Sequence, residues 1–280
     1  MWTLLAVLSA LLLGLYDVAK KKALQENGVF TVLLVATALS TLFLSPFFKP
    51  GPAEDLLRLA LKAVLVTLSW ISGMIGLKLL PLTTVSTIKG SRPVFVVLFS
   101  IILFGERLNW MQWTGVALAL LALWLLGRTS RSDGTVKARR TGIIWMGVSI
   151  VTGVASALYD KHIIQGMEPL FVQCWTNLFI TVILAVCVLV LHFTSRQQAP
   201  FKWDWTLVLV AVLITGADAL YFFALKQPDA MLSIISVIRR SSVLVTFIFG
   251  AIIFKEGHLR AKGLNMLLMA AGVVLLLIGS

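Results

Sequence analysis

Polar segments long enough to build a soluble domain are missing from this sequence. Only 13% of its 280 residues are charged, acids number 12 against 24 lysines and arginines, and 59% are hydrophobic, for a mean hydropathy of +0.97. Such a composition excludes a soluble globular domain and fits a chain solvated by lipid. Cysteine is scarce: Cys174 and Cys187 lie in one expected helix, thirteen positions apart by their numbering, so they should not bond each other and say little about redox compartment. The histidines, His162, His192 and His258, fall near helix ends without metal-ligand spacing, so no metal site is expected. A nucleophile with a positioned base, a phosphate-cradling glycine loop and a Walker motif are also lacking. Their absence argues against an enzyme and against ATP-driven pumping, and no cofactor is expected. The formal charge of +12 would suggest nucleic acid in a soluble protein. Here most basic residues lie in connections, where they set orientation, and nucleic-acid binding has no support.

What is present is a succession of apolar runs, each of the roughly 18–25 residues that cross about 30 Å of hydrocarbon as a helix. Ten are expected: Trp2–Ala19, Val29–Phe48, Leu57–Leu79, Leu82–Phe104, Trp110–Leu126, Gly142–Tyr159, Leu170–Phe193, Trp205–Leu225, Met231–Phe254 and Ala261–Ile278. They are continuously apolar, whereas barrel strands alternate over about ten residues, so a β-barrel is excluded. The first run lacks a charged leader and a small-residue cleavage site, and is read as a retained span. The expected fold is all-α, a polytopic membrane protein whose partners are the bilayer and a small-molecule substrate, as a monomer or homodimer. The bacterial inner membrane is its expected location.

The one sizeable linker, Arg128–Arg140, is polar and basic and divides the chain near its midpoint. Residues 1–127 and 141–280 are expected to form five helices each. Leu15-Tyr16-Asp17, near the end of the first helix, recurs as Leu158-Tyr159-Asp160 near the end of the sixth. An odd number of spans per half inserts the second half upside down, the inverted-repeat plan of many secondary transporters, whose substrate site lies near the midplane between repeats. Connections after odd-numbered helices carry most of the lysines and arginines, Lys20, Lys21, Lys22, Arg128, Arg131, Lys137, Arg139 and Arg140 among them. The other side has Lys49, Arg58, Lys62, Arg107, Lys161 and Lys226. The positive-inside rule then puts the first side in the cytoplasm and both termini outside.

The anomaly is Arg239-Arg240, two guanidinium groups near the middle of Met231–Phe254. A charge near the centre of a membrane helix costs several kcal/mol, roughly 2.5–3.5 on insertion scales, so such residues face a bundle interior or watery cavity and mark a substrate path. Structural pairing with Asp218 or Asp160 is the bland alternative; snorkelling needs a nearer helix end. Leu82–Phe104 has the same layout. Setting Phe104-Gly105-Glu106 on Phe254-Lys255-Glu256 places Lys89 on Arg239, Ser86 on Ser236 and Thr83 on Ser233.

Leu98–Leu126, with Phe104-Gly105-Glu106-Arg107-Leu108 and Gln112-Trp113-Thr114-Gly115, resembles the drug/metabolite transporter superfamily, in particular its EamA-type ten-helix members, and the resemblance extends over essentially the whole chain. It implies the fold strongly and the substrate weakly, since members move amino acids, nucleotide sugars, sugar phosphates, lipid precursors or drugs. A narrower similarity is to the triose-phosphate/phosphate translocators. Thr87-Ile88-Lys89-Gly90-Ser91-Arg92-Pro93 and Val237-Ile238-Arg239-Arg240 look like their phosphate-holding motifs, while Asp17-Val18-Ala19-Lys20-Lys21-Lys22 and Tyr159-Asp160-Lys161-His162 resemble the lysine-bearing ends of their first and sixth helices. Arg92 departs from the acidic residue usual there, and Arg239 replaces lysine.

Residues three or four apart share a helix face, so Thr83, Ser86 and Lys89 make one polar stripe, and Ser233, Ser236, Arg239 and Arg240 its repeat-related counterpart. Facing each other, the stripes attract an anion: arginine's fork matches phosphate or carboxylate bidentately and lysine adds a mobile charge. Singly, each Ser or Thr is better explained by close helix packing, and it is their alignment with Lys89 and Arg239 in both halves that points to a site. Arg92, Tyr16, Tyr159, Asp218, Tyr221 and Trp70 are further candidates for substrate contact. Asp17 and Asp160 are candidates for ion pairs or proton coupling. Glu106 and Glu256 are expected to make helix-end contacts. These residues predict a secondary transporter of a small phosphorylated or carboxylated organic anion, working by alternating access through exchange or proton coupling. The alternatives are an exporter of amino acids or related zwitterions and a flippase for a phosphate-bearing lipid.

Overall fold

A computed structural model describes residues 1–79, 92–128, 136–194, 201–242, 245 and 259–279. Ten α-helices lie within them: α1 (Trp2–Glu26), α2 (Val29–Phe43), α3 (Ala53–Leu79), α4 (Arg92–Phe104), α5 (Trp110–Arg128), α6 (Val136–Ile164), α7 (Pro169–Thr194), α8 (Trp205–Lys226), α9 (Leu232–Arg240) and α10 (Leu259–Ile278). A 3-10 turn, Ser45–Phe47, follows α2, with Pro46 near its start, where a missing N–H costs nothing. All regular structure among the described residues is helical. By length and composition, α1, α3, α6, α7 and α8 each contain a segment able to cross a membrane; apolar helical segments Phe30–Phe43, Arg92–Phe104 and Trp110–Ala122 are shorter. The chain is an integral, multi-pass membrane protein.

Local chemistry sets the helix ends. Asp204 caps α8, its side chain accepting from the Thr206 backbone N–H at 3.1 Å, and the Thr206 hydrogen bonds hold its carboxyl below the usual carboxylate range. Gly105, at φ 64°, takes the left-handed conformation that ends α4. The helix that begins the expected ninth run, α9, is interrupted after Arg240, where Ser241 turns its N–H onto the Ile238 carbonyl and its hydroxyl donates to the same carbonyl at 2.6 Å, a local bond that competes with helical continuation; Ser242 and Val245 are helical again, and the rest of that run lies outside the described residues. The two arginines therefore occupy the last turn of α9, beside this break in the run. The first part of the expected fourth helix, with Thr83, Ser86 and Lys89, lies outside the described residues.

Small residues govern how the helices meet. Ser69 on α3 and Ser149 on α6 exchange hydroxyl-to-carbonyl bonds of 2.8 and 2.7 Å, and Ser9 on α1 donates to the Ala217 carbonyl of α8 at 2.7 Å. α5 crosses α10 so closely that a Cβ on Gly115 would sit 2.8 Å from the Gly272 carbonyl oxygen. Such backbone approach is how helices associate in lipid, where apolar side chains gain little by leaving the solvent. The exposed faces remain apolar, as with Leu61, Val64 and Leu68 on α3 and Val182, Val186 and Leu189 on α7.

Polar contacts sort the connections to two ends. At one end Asn27 and Lys202 exchange hydrogen bonds of 2.9 Å, joining the segment after α1 to that before α8. At the other, Lys49 meets Glu168 at 2.8 Å, Lys226 donates to the Ile164, Gln165 and Met167 carbonyls, and Asn109 and Gln112 donate to the Gly279 carbonyl. This alternation is what successive crossings of one layer require. Lys62, counted above with the connections, is a correction: it is 2% exposed, well inside α3.

Candidate functional site

α8 presents Asp218, Tyr221 and Phe222 at positions i, i+3 and i+4, hence on one face, and all three border a cavity of about 420 Å³. α1 contributes Tyr16, Asp17 and Lys20, α3 contributes Lys62 and Trp70, α4 contributes Arg92, α6 contributes Asp160, and α9 contributes Ser236, Arg239 and Arg240. Five cations and three carboxylates thus line one volume among the described residues.

The carboxylates are unequally engaged. Arg239 Nη2 donates to Asp218 Oδ1 at 2.8 Å, and its guanidinium carbon lies 4.2 Å from the Tyr221 ring centroid. The Tyr221 hydroxyl donates in turn to Asp160 Oδ2 at 3.2 Å. Asp160 Oδ1 faces Lys62 Nζ at 3.0 Å, and that ammonium also lies 4.0 Å over the Phe222 ring. Cation, ring, carboxylate and cation therefore alternate from the cavity into a sealed corner, where the Lys62 and Asp160 side chains are only 3% and 10% exposed. A pair that buried holds only because each charge has its partner and a second contact. Asp17 lies within electrostatic reach of Lys20 and Arg240, and Lys20 stands 5.3 Å over the Tyr16 ring.

The arginines form a cluster. Arg92 donates to the Gly153 carbonyl and lies within the repulsive field of both Arg239 and Arg240. Buried Nε atoms of Arg239 and Arg240 have no hydrogen-bond partner among the described residues. Three guanidinium groups facing one volume, two with donors unspent, suit an oxyanion, whose lone pairs match the planar fork.

Arg92, Ser236, Arg239, Arg240, Asp218, Tyr221, Trp70, Tyr16, Asp17 and Asp160 are brought to this cavity. Ser233 is not: it is fully buried in the first turn of α9, where its hydroxyl and backbone N–H meet Glu106. The Leu232 N–H also donates to that carboxylate, at 2.7 Å, so Glu106 caps α9 and makes the expected helix-end contact. Tyr159 also stands off the cavity, stacked on His162 at 6.4 Å between centroids. Thr83, Ser86, Lys89 and Glu256 lie outside the described residues. Lys62 is a site residue that sequence reasoning missed, although its signal, a lysine inside a long apolar helix, is legible. Gln173, Thr176 and Asn177 of α7 are others; their signal is three neutral polar residues at helical spacing in an apolar run.

The profile of the EamA-like transporter family matches residues 1–128 and 140–278. An uncharacterized transporter of Archaeoglobus fulgidus (strain ATCC 49558 / DSM 4304 / JCM 9628 / NBRC 100126 / VC-16) is 22% identical over 268 residues, covering 90% of this chain and 89% of that protein. A second relative, an uncharacterized transporter in the cobO 3' region of a Sinorhizobium sp, is 31% identical over 134 residues, covering 45% of this chain and 95% of its own length. A solved crystal structure superposes with a TM-score of 0.80 at 14% identity, over 100% of this chain and 99% of its own, a likeness of fold. None of these comparisons bears on the narrower likeness to the triose-phosphate/phosphate translocators.

Proposed function

Because the chain belongs to the EamA-like transporter family, we propose that it is a secondary transporter of a small organic anion, phosphorylated or carboxylated, held at the arginine cluster. The observation that carries the reading is the convergence of Arg92, Arg239 and Arg240 on one cavity with buried guanidinium nitrogens left unpartnered among the described residues. Lys62 and Arg239 are each matched by an aspartate. Asp17 is shared between the fields of Lys20 and Arg240, and Arg92 spends its donor on a carbonyl. The surplus positive charge therefore sits where an oxyanion would bind. Asp160 and Asp218 are held by Lys62 and Arg239, which leaves them poorly placed to meet the amine of a zwitterion.

Alternating access of two inverted five-helix repeats, residues 1–127 and 141–280, accounts for how the pairs of helices are arranged. α3 packs on α6 and α1 on α8, while α2 with α7, α4 with α9, and α5 with α10 form pairs that a twofold would map onto themselves. A relative that matches less than half of this chain with nearly all of its own length is in keeping with a repeat of that size. An emptied cationic cavity is costly in a bilayer, which favours exchange of one anion for another over net uniport.

Thermal stabilisation of the detergent-purified protein by phosphates, carboxylates, zwitterions and cations tests the reading, since ligands that bind the native state raise its stability. Stabilisation by phosphates or carboxylates that is lost in Arg240→Gln is the expected result. Stabilisation confined to zwitterions or cations and surviving that substitution would refute it. Proteoliposomes loaded with the stabilising anion should exchange it faster than they release it; equal rates would remove the exchange step.

A further inference from the structure

The most hydrophobic of the candidate spans, Pro169–Leu191 of α7, with mean hydropathy 2.5, nevertheless turns Gln173, Thr176 and Asn177 to the cavity. Their spacing puts them on one helical face, which Ile180 continues. Neutral polar side chains in such a helix are ordinarily committed to a neighbouring helix. Asn177 is so committed through Nδ2, which donates to Ser40 Oγ of α2 at 2.8 Å, and Gln173 through Nε2, which donates to the Thr215 carbonyl of α8 at 2.7 Å. A backbone carbonyl can only accept, so this bond assigns the Gln173 amide: its nitrogen is spent and its oxygen is the atom still to be satisfied.

That oxygen and Thr176 Oγ1 are buried and have no hydrogen-bond partner among the described residues. Gln173 is 1% exposed and Thr176 4%, so bulk water does not reach them. Buried acceptors without donors destabilise a fold. Leucine and valine would fill the same space without that cost, so packing does not explain the choice of residues. Resting on the anion reading above, we propose that Gln173 and Thr176 form a second pole of the site, which takes a hydroxyl group of the substrate while Arg240 and its neighbours hold the anionic group. The transported class is then a hydroxylated organic anion. A neutral amide oxygen and a hydroxyl complement a hydroxyl group; an ammonium would demand a carboxylate, and Asp160 and Asp218 are held by cations.

Matched compounds that differ only in hydroxyl groups test this: glycerol 3-phosphate against n-propyl phosphate, and glycerate against propionate. Affinities are measured by stabilisation of the full-length purified protein, wild type, Thr176→Val and Gln173→Leu. Wild type should bind the hydroxylated member of at least one pair about tenfold or more tightly. That ratio should collapse toward one in Thr176→Val, which keeps the side chain's shape, and in Gln173→Leu if it folds. Equal binding of both members by wild type, lost in Arg240→Gln, would overturn the second pole while leaving the anion site standing. Unchanged discrimination in Thr176→Val and Gln173→Leu would also overturn it. Failure of all four compounds to stabilise wild type would overturn the anion reading and this inference with it.

Discussion

Replacing Lys62 by methionine nearly keeps the length of the side chain and removes its charge. Asp160 would then stay buried with, among the described residues, only the Tyr221 hydroxyl, at 3.2 Å, as a side-chain hydrogen-bond partner. Breaking one side of a buried pair generally costs about 3–5 kcal/mol. A second route to the magnitude agrees. The variant can escape a naked carboxylate by taking up a proton, which at pH 7 costs about 4 kcal/mol for an acid with a solution value near 3.9, at about 1.36 kcal/mol per unit. The expected loss is therefore about 4 kcal/mol at pH 7 and smaller at pH 5, where the proton is easier to acquire. Asp160→Asn should be comparably harmful, because it strands the ammonium in the same corner. Lys62→Met combined with Asp160→Asn should restore much of the loss, since a neutral pair carries no buried charge. The assay is thermal unfolding in detergent followed by tryptophan fluorescence, nine tryptophans being present. Losses of the two single variants that simply add in the double variant would refute the pairing, as contacting residues must couple.

Gly153→Ala would place a Cβ 2.8 Å from Arg92 Cζ and 2.9 Å from Ser69 Oγ, forcing Arg92 from its carbonyl; weaker stabilisation by the bound anion is expected, and unchanged affinity would contradict the role given to Arg92. Glu106→Ala removes the cap of α9, with an expected loss of about 1–2 kcal/mol in unfolding experiments, and Glu106→Gln should lose less. Gly272→Ala would bring a Cβ 2.8 Å from the Gly115 carbonyl oxygen and should destabilise the α5–α10 contact by about 1–3 kcal/mol, measured by the same melting assay. Asp204 has a carboxyl lowered by its bonds to Thr206, so its contribution to stability is present above the unfolded value of about 3.9 and is lost as pH falls through the lower folded value. The difference in melting between wild type and Asp204→Ala should accordingly be largest near neutrality and vanish in strong acid.

Much of the architecture was legible because one variable, hydropathy, decides which stretches lipid can solvate. Ten apolar runs predict ten helices, and ten are found among the described residues, with ends displaced where polar flanks such as Gln25-Glu26 or Glu54-Asp55 prolong the helix beyond the apolar core. Arg239 and Arg240 stand out for the same reason: uncompensated charge in an apolar run is expensive, so it marks either a site or a pair. The sequence could not say which. Their place beside a break in the helix depends on Ser241, whose local hydrogen bond is invisible to hydropathy.

Hydropathy and periodicity, which act within one segment, determined by themselves that this chain is a multi-pass helical membrane protein and that its embedded charges had to be gathered away from lipid. Which charges meet was decided only by tertiary structure. Lys62 of α3 and Asp160 of α6 pair because those two helices approach through Ser69, Ser149 and Gly153, and Glu106 spends itself on α9 because the end of α4 lies beside its start. Such contacts join residues dozens to more than a hundred positions apart. Their energies depend on separation in space, not along the chain, and so leave no period in the sequence.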